Sequence, residues 1–176
     1  MTNSMRSMVL GCTVLLSSVA AVAQSADMDK DFLMKASQSD FTEIKFSQLA
    51  VEKATNPRVK AYAQKMVEDH NMLEAKMKPF ADKMGVTPVM ELDAEHQQKY
   101  DALNQMTGMD FDKTYMTGMA QDHHVALDLF QAEAKSASDP EMKKTVAKGE
   151  KVVAMHTKMA DMAVTKMSAM KSSATM

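Results

Sequence analysis

Glu43, His70, His123 and His156 are the residues of this 176-residue chain whose types and spacing could do chemistry. Three neutral imidazoles and one carboxylate make an N₃O donor set suited to a transition metal such as iron, copper or zinc. His70 interrupts the row Val59, Ala63, Met66, Leu73, Met77, Phe80 and Met84, and His123 interrupts Met116, Met119, Ala126, Phe130 and Ala134. His156 falls within Val146, Gly149, Val153, Ala160, Ala163 and Met167. Apolar rows at spacings of three and four form the buried stripe of a helix, so each His is predicted to point inward. Glu43 has Ala36, Phe46 and Ala50 on its side, but Ser39, Asp40 and Ser47 as well, which leaves its direction open. A buried carboxylate is costly unless it is paired or ligates a metal. The alternative is a metal-free cluster in which His⁺ pairs Glu⁻ and fixes helix register.

The elements that must position these residues follow from the turn chemistry. Asp27 to Thr55 has no Pro or Gly, and Asn56-Pro57 carries the signals of a new helix start. That helix continues to Met84 and is closed by Gly85. Val86 to Met109 is a connector with a short helix expected around Asp93 to Gln105. Asp110 to Ser138 is the next long helix, Asp139-Pro140 repeats the turn, and the last helix runs towards Met170 with a frayed tail. The expected fold is all-α: a four-helix bundle of two hairpins joined by a long crossover containing a short helix. A connector of 24 residues exceeds the usual 2–8 of bundle loops, so it should run the length of the bundle and set the second and third long helices parallel.

Heights can then be compared. Glu43 lies 14 residues before Pro57 and His70 lies 13 after it, so both stand roughly 20 Å from that turn. His123 and His156 lie 17 before and 16 after Pro140, roughly 25 Å from the other turn. With the turns at opposite ends of a bundle roughly 43 Å long, the two pairs meet near mid-height.

Other chemistry is poorly supplied. Val67 and Val153 stand three before His70 and His156, where a di-iron bundle would need Glu, so a ferroxidase is poorly supported. Asp69, Glu74 and Asp122 read as solvated flanks or as residues that orient a ligand. Glu133 is ten residues from His123, roughly 15 Å along the axis, and cannot share the site. His124 reads as a surface residue, and His96 has no evident partner. The 21 Met residues include thioethers that would suit Cu(I), Met155, Met159 and Met162 around His156 being the most ligand-like, but flexible core-filling accounts for the row positions. There is no Gly-x-Ser-x-Gly elbow or paired acid motif, so hydrolysis has little support, and an oxidoreductase would need an open metal position.

Residues 1–23 read as a secretory signal peptide: Arg6, an apolar stretch from Met8 to Leu16, and small residues ending at Ala23. Cleavage there leaves residues 24–176 as one helical domain without Cys, since Cys12 is removed and its Leu10-Gly11 context fits lipidation poorly. The formal charge moves from -2 to -3, with acids and bases interleaved, which argues against a nucleic-acid partner. The expected location is the periplasm or outside the cell, with no transmembrane segment. Outer-membrane association, homo-oligomers, a protein partner and any reaction stay open.

The chain resembles a known bacterial secreted family, domain of unknown function 4142, regarded as ferritin-like. The resemblance lies in Asp31-Phe32, Lys35-Ala36, Glu43-Ile44, Gln48-Leu49-Ala50, Asn56-Pro57-x-Val59-Lys60 and Ala63-Gln64-x-Met66-Val67-x-Asp69-His70. It continues through Phe111-Asp112-x-x-Tyr115, Asp122-His123, Phe130-x-x-Glu133 and a late His156, where the family's usual preceding Pro is missing. It implies a ferritin-like bundle, an extracytoplasmic setting and metal binding at Glu43, His70, His123 and His156, but no reaction.

Overall fold

In the computed structural model the backbone is described for residues 16–173 and side chains for residues 26–169. Five helices follow in order, α1 (Leu16–Lys53), α2 (Pro57–Met84), α3 (Ala94–Gln105), α4 (Gly108–Ser136) and α5 (Pro140–Ser173), with no strand among the described residues. α2 has the expected limits. The Asn56 side chain accepts from the Arg58 N–H at its start, and Gly85 closes it at φ 69°, with the Gly85 and Val86 N–H groups donating to Asp82 and Ala81 carbonyls. α1 reaches back beyond Asp27 because Ala-rich sequence without Gly or Pro precedes it, and α5 continues helical past Met170 to Ser173. The signal peptide expected over residues 1–23 falls on residues 1–15, outside those described, and on the first two turns of α1.

Two buried carboxylates fasten the hairpins end to end. Asp112, near the start of α4, accepts from Thr55 N–H (3.1 Å), Thr55 Oγ1 (2.7 Å) and Asn56 N–H (2.9 Å) in the α1–α2 turn. At the other end Asp29 of α1 accepts from the backbone and hydroxyl of Ser138, in the α4–α5 turn. The two turns therefore lie at opposite ends, α2 and α4 start at the same end, and the connector with α3 crosses the bundle. Each hairpin packs internally, and α1 packs on α4 as α2 does on α5. The crossover bundle expected from the connector length is the observed fold.

Two apolar clusters fill it. One includes Phe46, Tyr62, Met66, Phe111, Met119 and Ala160, and the other Phe32, Leu73, Ala126, Phe130, Val146 and Val153. On α2, α4 and α5 the inward residue between the two clusters is His70, His123 or His156. The apolar core is thus interrupted by one polar layer at mid-height.

Packing above that layer is tight at Gly149. A Cβ there would stand 2.7 Å from the Phe130 ring, which is buried edge-on against Phe32. Ala gains about 1 kcal/mol of helix propensity over Gly, but overpacking costs about 1–3 kcal/mol. Gly149→Val, with β-branching added, should lower stability by about 2–4 kcal/mol in urea denaturation. A neutral Gly149→Val would show that Phe130 moves freely.

Candidate metal centre

Glu43 on α1, His70 on α2, His123 on α4 and His156 on α5 meet at the polar layer, all essentially buried. The imidazole centroids lie 5.6, 5.3 and 5.4 Å apart, nearly an equilateral triangle. Each ring offers one nitrogen, and these nitrogens lie within 4.8 Å of one another. Glu43 Oε2 stands 2.7 Å from His70 Nε2 and 3.4 Å from His123 Nε2.

The outer nitrogen of every ring is spoken for. His70 Nδ1 donates to Asp40 (2.7 Å), His123 Nδ1 to the Met119 carbonyl (2.8 Å) and His156 Nε2 to Asp69 (2.7 Å). Carboxylates and a carbonyl only accept, so these hydrogen bonds place the proton of each neutral ring outward and its lone pair inward. Inward, His123 Nε2 and His156 Nδ1 are buried without a hydrogen-bond partner, while His70 Nε2 and Glu43 Oε2 face each other at 2.7 Å. Two unmet imidazole lone pairs beside that pair are a poor end state by themselves, and the four atoms, one from each long helix, together make a good donor set for a cation.

Without metal, the charge falls on His70. Burial alone would lower its pKa, but Glu43 and Asp40 on either side raise it to about 10. Burial pushes Glu43 up, and the His70 and His123 charges outweigh that, taking it down to about 2. His156 goes the other way: burial lowers it to about 4 despite its bond to Asp69. The metal-free layer holds one imidazolium between two carboxylates, with His156 neutral.

Two positioning residues had only weak sequence signals. Asp69, flanking His70, reaches across to His156 and is itself held by Lys65 at 2.9 Å. Asp40 shares the side of Glu43 and supports His70 from behind. Among the other expected positions, His124 is exposed and pairs with Asp161, as a surface residue would. His96 has a partner after all, since its Nδ1 lies 2.6 Å from Asp93, the cap of α3. Met155 and Met162 are exposed while His156 is buried, so they do not form one donor group with it. Glu133 sits at the far end beside Asp29, and burial followed by that neighbour raises it to about 7.

Comparison with known families decides the relationship. The domain of unknown function DUF4142 matches residues 15–163. This chain belongs to the DUF4142 family. Comparison with curated proteins gives no match. In fold, this DUF4142 protein is similar to a DUF305 fragment from Deinococcus radiodurans, with a TM-score of 0.69 at 11% identity, covering 79% of this chain and 96% of that one. It is also similar to a DUF305 protein from Streptomyces coelicolor, provisionally described as secreted, with a TM-score of 0.61 at 10% identity, covering 81% and 89%. At these identities the likeness is one of fold.

Loss of an orienting partner commonly costs 10–100-fold in metal affinity. Asp69→Asn should therefore weaken metal binding by about that factor in a competition titration, with the fold retained by circular dichroism. An unchanged affinity would remove Asp69 from the account.

Proposed function

We propose that this DUF4142 protein is an extracytoplasmic metal-binding protein that holds one transition-metal ion in the bundle core through Glu43, His70, His123 and His156. The reading rests on one observation: four buried donor atoms, one from each long helix, converge, those of His123 and His156 without hydrogen-bond partners, while the outer nitrogen of each imidazole is tied down. Imidazole and carboxylate donors suit iron, copper or zinc. Metal homeostasis or protection from metal stress is the role that fits such a site, because the chain lacks the Glu-x-x-His motifs of di-iron bundles. The metal-free structural alternative is less favoured, since it leaves the inward lone pairs of His123 and His156 unmet.

Export is part of the same reading. Cleavage after Ala23 would leave every residue of the site and the Asp29 anchor in the mature chain, and no helix among the described residues is long and apolar enough to cross a membrane.

Elemental analysis of protein exported to a periplasm, beside His70→Ala/His123→Ala/His156→Ala, tests the proposal. About one equivalent of metal in the wild type and none in a folded variant is expected. Equal metal in both, or none in the wild type after reconstitution, would overturn it.

A further inference from the structure

A buried donor set needs a way in, and the surface cavities differ in their fitness to admit a cation. The cavity of about 530 Å³ near the start of α2 carries Arg58 and Lys166 and no acid in its wall. The one of about 470 Å³ beside α3 sets Lys99 and Lys113 against Asp122. Both present net positive charge to an approaching cation.

The third, of about 330 Å³, opens between α1, α2 and the first residues of the connector, and it differs in two respects. Its wall carries Asp40 and Glu74, while Lys78, the one base there, is engaged by both oxygens of Asp82. Asp40 is also the residue that hydrogen-bonds His70 Nδ1 at 2.7 Å, so a single buried side chain both lines the cavity and touches the donor cluster. Glu74 is one turn beyond His70 on α2, nearer the opening and only partly buried.

We infer that this α1–α2 cavity is the path by which a divalent cation reaches the core, Glu74 receiving it at the mouth and Asp40 passing it to His70. The inference rests on the metal-binding reading above. A swing of the Asp40 carboxylate away from His70 frees the ring to turn, and the cation then meets the inward nitrogens. Glu74 acts on the rate of loading and contributes no donor to the final site.

Rapid mixing of the metal-free protein with Co(II), followed by visible absorbance, tests this. Glu74→Gln and Ala75→Trp, the latter filling the mouth from an exposed position, should each slow loading about tenfold or more while the final Co(II) content stays that of the wild type. Met162→Trp, in the wall of the Arg58 cavity, should load at the wild-type rate. Wild-type rates in both α1–α2 variants would overturn the path, as would slowing by Met162→Trp alone or a lowered final content in Glu74→Gln. A wild type that takes up no Co(II) would remove the metal reading, and with it the path, through a different observation.

Discussion

Metal-loaded protein should unfold about 5–10 °C above metal-free protein at pH 8, and the gap should narrow as pH falls towards 6. A ligand present at a hundred times its Kd adds about 2.7 kcal/mol, and a domain of this size gains about 2–4 °C per kcal/mol. The direction with pH follows from His70. Its folded pKa is raised to about 10, above the ordinary 6.5, so its contribution is full below pH 6.5 and is lost as pH rises through 10. Metal-free protein should therefore lose stability between pH 7 and 9.5. The other groups with clear shifts change outside that window or near its lower edge: Glu43 at about 2, His156 at about 4, Asp40 raised by burial to about 6, and Glu133 at about 7. A cation competes with the His70 proton for the same nitrogen, so binding grows stronger over the range in which the metal-free protein weakens. Calorimetry at pH 7 in buffers of differing ionisation enthalpy should show about one proton released per metal bound. No proton release, or a gap constant from pH 6 to 9, would count against His70 as a ligand.

Much of the arrangement was legible because two counting rules converge in this chain. Asn56-Pro57, Gly85 and Asp139-Pro140 fix where the chain turns, and a connector too long for a simple loop sets the handing of the hairpins. From those, equal heights for Glu43 with His70, and for His123 with His156, follow by rise per residue alone. The inward direction of the three His was legible because each interrupts an apolar row. Glu43 was not, because Asp40 and Ser47 on its side are also buried: Asp40 behind His70, and Ser47 bonded to Tyr115 at 2.8 Å. A polar layer erases the contrast between apolar and polar faces that pattern reading depends on. Asp69 could be read only as a solvated flank or an orienting residue, for a related reason. It precedes His70 by one residue, so on a helix it points about 100° away, and only the approach of α5 turns that flank into contact with His156. The Asp29–Ser138 and Asp112–Thr55 fastenings join residues far apart in sequence, and no local pattern announces them.

Glu43→Gln should destabilise the metal-free protein by about 3–5 kcal/mol at pH 7, although the side chain keeps its size. Glu43 Oε2 faces His70 Nε2 at 2.7 Å, a distance that two lone pairs do not hold, so in the absence of metal a proton lies between them. Gln can offer His70 a carbonyl oxygen but no charge, and removing one member of a buried ion pair leaves the other uncompensated. Asp40 still faces the opposite edge of the ring and keeps part of the elevation, so His70 should titrate lower without returning fully to its ordinary value. The sign of the pH effect then changes in extent and not in direction. Stability should still fall as pH rises past 6.5, but the fall should be shallower and finish earlier, because the folded pKa is nearer the unfolded one. Urea denaturation in chelator at pH 7 and at pH 9.5 measures both quantities. A Glu43→Gln protein as stable as wild type at pH 7, with the same loss by pH 9.5, would show that Asp40 alone holds the charge. A large loss at pH 7 that shrinks at pH 9.5 is the expected result, since by then wild type has given up most of what Glu43 contributes.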